Sequence, residues 1–272
     1  MKYVCALTIA GSDSVGGAGI QADIKTMSAL GVYAASAVTA VTVQNTQGVY
    51  AVQSLRPDIV AGQIRAVMDD IHPKAVKIGM VNDMPTIQAI ACALKPYAAD
   101  VAIVADPVMV STSGCRLMQE DALNAFRSEL LPLASLLTPN VPEAEILADM
   151  SIRSADDMRQ AANAINQAAK CDVLVKGGHL DGTTKTDILF HDGTFAARFD
   201  APTVDTANTH GTGCTLSSAI TAHLALGHGM AEAISLAKDY LHHALEAGKD
   251  VSIGKGHGPV NHFFAPRCLA KE

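Results

Sequence analysis

Residues 3–30 read YVCALTIAGSDSVGGAGIQADIKTMSAL. An apolar run from Val4 to Ala10 stops at Gly11-Ser12-Asp13, glycines follow at 16, 17 and 19, and apolar residues then recur at Ile20, Ile24, Met27 and Leu30. A short unbroken apolar run closed by turn residues reads as a strand buried on both faces. The three-to-four spacing after it reads as a helix over 18–30. Residues 3–10 behind Lys2 also mimic the apolar part of a signal peptide, but no convincing cleavage site follows, so a buried first strand is the better reading. The same strand–turn–helix unit recurs along the chain. Runs at Ala37–Val43, Ala75–Ile78, Val101–Ala105, Leu136–Thr138 and Val173–Lys176 read as strands. Helical spacing occupies 57–70, 84–94, 120–130, 142–149 and 155–169. Such alternation predicts an α/β fold with a mostly parallel sheet and helices on both faces. Thr186–Phe190 and Thr194–Phe199, around His191-Asp192-Gly193, read as a hairpin, and helices over about 212–226 and 230–247 follow. No linker, repeat or charge block interrupts the 272 residues, so one domain over 1–272 is expected.

Composition narrows the function. A formal net charge of -7 argues against a nucleic-acid partner, and 4% aromatic residues with no Trp leave little for base stacking. An apolar fraction of 49% with 17% charged residues excludes disorder. The longest uncharged stretch, 32–55, carries Gln44, Asn45, Gln47 and Gln53 and is no membrane span. Six cysteines at 5, 92, 115, 171, 214 and 268 show no metal-binding spacing and no disulfide framework, which points to a reducing, cytoplasmic setting.

Polar or glycine-rich clusters follow the strands: Gly11-Ser12-Asp13, Gln44-Asn45, Gly79-Met80, Asp106-Pro107, Pro139-Asn140 and Gly177-Gly178. In open parallel sheets ligands bind at the carboxyl ends of strands, so these clusters are expected to line one crevice. The strongest local signal is THGTGC at 209–214, leading into a helix whose mouth carries Gly211 and Gly213. Bare amides at a helix N-terminus suit an anion or a transferring phosphoryl group. No G-x-x-x-x-G-K-[ST] loop exists in the chain. Cys214, in the first turn, is either a thiol acidified by the helix dipole, able to act as a base, or a small buried hydrophobe. Asp23 falls inside the apolar stripe of its helix, so it needs a partner, whether an internal salt bridge or a ligand. Asp106 and Glu143 are oxygen donors of the kind Mg²⁺ takes, although acids at helix N-termini also serve the dipole alone. Lys176, ending a strand, either meets phosphate or is an edge residue with its charge in water. The stretch around 111–115 is a candidate lid.

Taken together, AGSDSVGGAGIQADIKT at 10–26, TAVTVQNTQGV at 39–49, VKIGMV at 76–81, DPVMVSTSG at 106–114, LTPNVPEAE at 137–145, VLVKGGH at 173–179, THGTGCTLSSAI at 209–220 and GHGPVNHFF at 256–264 resemble the hydroxymethylpyrimidine/phosphomethylpyrimidine kinases of thiamine biosynthesis. These belong to the ribokinase-like superfamily, whose fold is a three-layer α/β/α sandwich. The resemblance implies phosphorylation of 4-amino-5-hydroxymethyl-2-methylpyrimidine, and then of its monophosphate, with ATP and Mg²⁺, by a homodimer. It implies that Asp23 and Gln44 recognise the pyrimidine and that Gly11, Met80 and Val108 wall the ring. Lys176, Asn140, Thr209 and Thr212 would bind nucleotide, Asp106 and Glu143 the metal. Gly211, Gly213 and Cys214 would be catalytic, with Cys214 accepting the hydroxymethyl proton. A pyridoxal or pyridoxine kinase of the same superfamily is the nearest alternative.

Overall fold

The computed structural model describes residues 1–110, 117–180 and 182–272; the lid expected around 111–115 and Cys115 fall outside them. The elements run β1 (Cys5–Ser12), α1 (Gly19–Ala29), β2 (Tyr33–Asn45), β3 (Gly48–Ser54), α2 (Pro57–Asp70), β4 (Ala75–Ile78), α3 (Met84–Leu94), β5 (Ala102–Ala105), α4 (Glu120–Ala125), β6 (Leu136–Leu137), α5 (Val141–Ala148), α6 (Ala155–Ala169), β7 (Asp172–Lys176), β8 (Thr184–His191), β9 (Thr194–Pro202), α7 (Thr212–Ala225) and α8 (Met230–Gly248). Nine strands form one sheet in the order β3-β2-β1-β4-β5-β6-β7-β8-β9. The pairs from β2 through β7 are parallel, and β3, β8 and β9 join antiparallel at the two edges.

Residues 5–12 are therefore a central strand between β2 and β4, which explains their unbroken apolar run. Its two faces feed different cores. Leu7 and Ile9 pack with Ile64 of α2 and Ile87 of α3, in a cluster that also takes Met158 of α6. Val4 and Ala6 join Met27 of α1, Ile220 of α7 and Tyr240 of α8. Helices α2 to α6 thus cover one face and α1, α7 and α8 the other, giving three layers. No helix among the described residues is long and apolar enough to cross a membrane.

Three departures from the expected elements have local causes. The second strand begins at Tyr33, not Ala37, and ends on Gln44 and Asn45, which lie in the strand and not after it. It turns straight back as β3, which sequence reasoning left unassigned. This edge strand is largely exposed and lacks the apolar run that marks a buried strand. The helix expected over 120–130 is α-helical only to Ala125. Phe126–Leu130 widens into a π turn and Leu131–Leu133 tightens into a 3₁₀ turn. Pro132 has no amide hydrogen to continue an α-helix.

The connection after β1 runs to β2 on one side, and the chain later returns to β4 on the other. The carboxyl ends of β1 and β4 therefore diverge at a switch point, where a crevice opens.

Candidate active site

A cavity of about 680 Å³ occupies that crevice. Its walls take residues from the carboxyl ends of β1, β2, β4, β5, β6 and β7 and from the mouth of α7. Each of the six polar clusters contributes at least one residue.

Two glycine loops build the centre. Asp13 organises the first. Its Oδ1 accepts the Val15 amide (2.9 Å), and its Oδ2 accepts the amides of Gly17 (3.0 Å) and Ala18 (2.8 Å) and Nε2 of His210 (2.9 Å). Burial works to raise the Asp13 pKa, but His210 and the Val15 and Ala18 amides outweigh it and hold the carboxyl below its ordinary range. The second loop crosses the first at Gly211. A Cβ there would fall 1.8 Å from the Gly17 carbonyl oxygen, and the residue has φ +78°, so only glycine fits.

Gly211 caps α7 with left-handed backbone. The Thr215 amide is the first to reach back a full turn, to the Gly211 carbonyl (2.8 Å). Thr212 makes a long 3.3 Å contact to the Thr209 carbonyl, and the amides of Gly213 and Cys214 have no partner among the described residues. Both face a cavity they line, with Thr209 and Thr212 beside them. The expected anion mouth is thus present as geometry. A Cβ on Gly213 would sit 3.4 Å from Lys176 Nζ and 3.8 Å from Asp106 Oδ2, so the bare residue lets both charges stand against the helix mouth.

Those charges form a buried group. Lys176 Nζ donates to Asp106 Oδ1 (2.8 Å), which also accepts from Thr138 Oγ1 (3.1 Å), while Asp106 Oδ2 accepts from Ser217 Oγ (3.1 Å). Burial opposes ionisation of both partners. The ammonium of Lys176 nevertheless keeps Asp106 ionised, and Asp106 and Glu143 keep Lys176 charged. Glu143 closes a capping box with Asn140: its Oε2 accepts the Asn140 amide (2.8 Å), and Asn140 Oδ1 accepts the Glu143 amide (3.0 Å). Burial first, then the charge of Asp106, pushes the Glu143 carboxyl up to about 7. Lys176 thus acts on both carboxyls, and the charge of Lys77 also reaches Asp106.

Of the two readings of Cys214, an acidified thiol or a buried one, the structure favours the second. Burial, with Asp23 and Asp106 adding to it, pushes its thiol up to about 11, although Lys77 and the Gly19 amide pull the other way. Desolvation exceeds the dipole of the helix, and the thiol is protonated at neutral pH.

The opposite wall is apolar. Met80 and Leu117 pack with Ala40 in a small cluster of their own, and Val108 leans on it. Gly11 lets Met80 approach; a Cβ there would lie 3.1 Å from the Met80 methyl. Gln44 faces this wall from the end of β2. This end of the cavity is an apolar slot with the Gln44 carboxamide among its lining residues.

Asp23 is the correction among the site residues: it does not line the cavity. It is fully buried, with Oδ2 accepting from Thr8 Oγ1 (2.6 Å) and Oδ1 accepting from Lys77 Nζ (2.6 Å) and Ser218 Oγ (2.5 Å). The partner its stripe position demanded is an internal one. Sequence reasoning placed Asp13 in a strand-end cluster without giving it a role, and missed His210 and Lys77 and the buried Lys238–Asp187 pair (2.6 Å) at the other end of the cavity. Asp187 Oδ1 accepts the Gly177 amide (3.0 Å) and so fixes the chain just after Lys176. Asp13 carried the one readable signal, an acid three to six residues ahead of the glycines at 16, 17 and 19.

The arrangement joins a cradle for a phosphoryl group, made of free amides and one buried ammonium, to a slot for a flat ring. Three comparisons bear on it. The family profile described as phosphomethylpyrimidine kinase matches residues 13–261. A hydroxymethylpyrimidine/phosphomethylpyrimidine kinase of Rhizobium meliloti is 52% identical over 259 residues, 95% of this chain and 96% of that protein. A thiamine biosynthesis bifunctional protein of Geobacter sulfurreducens is 47% identical over 95% of this chain, which spans 52% of that longer protein. Among solved structures, the ADP complex of Bacillus subtilis pyridoxal kinase superposes with a TM-score of 0.87 at 35% identity, covering 96% of this chain and 98% of that one.

Proposed function

This chain belongs to the phosphomethylpyrimidine kinase family, and from that premise we propose how its own residues carry the reaction. The protein is a kinase of thiamine biosynthesis that phosphorylates 4-amino-5-hydroxymethyl-2-methylpyrimidine and then its monophosphate. One observation carries the assignment of roles: the unpartnered amides of Gly213 and Cys214 stand beside Lys176 in the same cavity as the Gln44–Met80 slot.

The pyrimidine lies in the slot, walled by Gly11, Met80 and Val108, with its amino edge on Gln44. Its hydroxymethyl group points to the mouth of α7. ATP lies along Asn140, Lys176, Thr209 and Thr212. The amides of Gly213 and Cys214 and the ammonium of Lys176 meet the oxygens of the transferring phosphoryl group, where positioning and fixed positive charge do most of the catalysis. Gly211 sets the angle at which those amides point. In the first transfer the hydroxymethyl proton goes to Cys214 Sγ in its thiolate form, a minor species at neutral pH, as the bond to phosphorus forms. The second acceptor is already an anion and needs no base.

The residues present fit Mg²⁺. Mg²⁺ is commonly held by one or two carboxylates, waters and substrate phosphates. Asp106 and Glu143 supply two buried acids beside each other, and burial first, then the charge of Asp106, raises the Glu143 pKa. Asp106 and Glu143 would hold the ion directly or through water. When bound, the ion neutralises charge on the phosphate oxygens.

The remaining features of this reading are a single kinase domain over 1–272, a cytoplasmic setting supported by the scattered free thiols, and a homodimer supported by exposed Val41, Val43 and Tyr50 on the β2–β3 hairpin. The test is ADP release with Mg²⁺-ATP on hydroxymethylpyrimidine, its phosphate, pyridoxal and pyridoxine. Turnover of both pyrimidines above the two pyridines is expected. Pyridine turnover alone would favour the activity named for the B. subtilis relative.

A further inference from the structure

Two buried acids flank the strand that ends in Lys176. Its partner across the antiparallel ladder is Asp187 of β8, and residues opposite each other in a ladder point to the same face. Alternation fixes which face. Val175 and Ile188 pack with α2 to α6, whereas Leu174 and Leu189 pack with α1, α7 and α8. Lys176 and Asp187 therefore stand side by side beneath α7 and α8, both buried. Opposite charges so placed ordinarily pair. Here they do not. Among the described residues Lys176 forms an ion pair with Asp106 alone (2.8 Å), on the β5 side of its strand, while Asp187 Oδ2 accepts from Lys238 Nζ (2.6 Å). Lys238 comes from α8, where it shares a buried face with Ile234, Ala237 and Tyr240. Such a buried pair is often matched in stability by apolar residues of similar size, so stability alone does not account for it. Asp187 has a local task as well. Its Oδ1 accepts the Gly177 amide (3.0 Å), where the chain leaves β7 so close to β8 that a Cβ on Gly177 would fall 2.0 Å from the Thr186 carbonyl oxygen.

We propose that Lys238 is a positioning residue: by holding Asp187 it keeps that acid from drawing Lys176 across the ladder, so the Lys176 ammonium stays on Asp106 beside the mouth of α7. This rests on the reading in which Lys176 meets the transferring phosphoryl group. Asp106 and Asp187 lie on opposite sides of β7 in the sheet, and one ammonium cannot serve both. Without Lys238, Asp187 is a buried carboxylate whose nearest counter-charge along the ladder is Lys176. Lys176 then turns from the β5 side to the β8 side and leaves Gly213, where a Cβ would stand 3.4 Å from its Nζ. Phosphoryl transfer tolerates little such movement, since a misplacement of about 1 Å costs about 10²-fold in rate.

The experiment is steady-state ADP release on hydroxymethylpyrimidine by the full chain, at saturating Mg²⁺-ATP. Lys238→Met should lower kcat about tenfold or more and hold the pyrimidine KM within about threefold. Adding Asp187→Asn removes the competing charge and keeps an oxygen for the Gly177 amide, so the double variant should return kcat to within about threefold of wild type. A role of Lys238 in packing alone gives no such return. An undiminished kcat in folded Lys238→Met, or a double variant as slow as the single one, overturns the proposal. Should Lys238→Met not fold, Lys238→Gln takes its place in the same comparison, because its amide still donates to Asp187 but carries no charge. Lys176→Met separates the two levels. An unchanged kcat there overturns the reading of Lys176 and the proposal with it, whereas a collapsed kcat there beside an unaffected Lys238→Met overturns only the role of Lys238.

Discussion

Replacing Cys214 with Ala removes a thiol and almost nothing else, because the amide at 214 is kept and the residue already sits in a helix. The effect should differ between the two phosphoryl transfers. The thiol is pushed up to about 11, so at pH 7 the thiolate is about one part in ten thousand. If Sγ accepts the hydroxymethyl proton, the first transfer should speed up about tenfold per pH unit between pH 6 and 9 wherever chemistry limits turnover. Cys214→Ala should lower it by about 10²–10⁴, the span that positioned bases contribute. The second transfer has an anionic acceptor, so it should lose less than about threefold and lack the alkaline rise. The assay is steady-state ADP release on each pyrimidine, at saturating nucleotide, across that pH range. Damage to the fold or to the anion mouth would reduce both transfers together. Equal losses, or a wild-type first transfer independent of pH, would show that Sγ is not the proton acceptor.

Other outcomes follow from the same geometry. Gln44→Leu strands a polar ring edge at a cost of about 1–3 kcal/mol, so KM for the pyrimidine should rise about five- to 150-fold while KM for ATP holds. Gly213→Ala puts a methyl 3.4 Å from Lys176 Nζ; calorimetry should show an unchanged or higher melting temperature, and kinetics a kcat lowered at least tenfold. Asp23→Ala leaves the Lys77 ammonium buried without its counter-charge, which should cost about 3–5 kcal/mol in urea unfolding, with little change in pyrimidine KM for the protein that remains folded. Glu143 titrates higher in the folded chain, at about 7 against an ordinary 4.5, so the folded state binds the extra proton and gains stability from this group as pH falls from about 8 toward 5. In Glu143→Gln that gain should vanish, read as the difference between the two proteins' melting temperatures at pH 8 and pH 6.

Much of the architecture was legible because a parallel sheet buries both faces of its strands. Runs such as Cys5–Ala10 then stand out without any alternation to interpret, and glycine, Asn and Asp mark their ends. The mouth of α7 was legible for a similar reason, since two glycines within three residues precede a regular apolar spacing. β3 was not legible, because an exposed edge strand carries no such run. Asp23 shows the limit of one-dimensional reading. Its place in an apolar stripe announced that a partner existed, but Lys77 sits inside an ordinary-looking strand motif 54 residues away. The pairing of Asp13 with His210 spans 197 residues and had no local trace. Cys214 stayed open between two readings for a quantitative reason: a helix terminus acidifies a thiol, withdrawal from water does the reverse, and the second acts more strongly here.

The contact of Gly17 with Gly211 has a consequence for synthesis. The loop shaped around Asp13 is made almost first, and the helix mouth that completes it emerges some two hundred residues later. A ribosome-bound chain that ends before residue 209 lacks the helix mouth, so ligand contacts made there cannot stabilise the early half while the late half is still being made. Vitamin precursors and nucleotide should therefore protect only chains elongated past that crossing, and until then the growing polypeptide relies on its sheet alone.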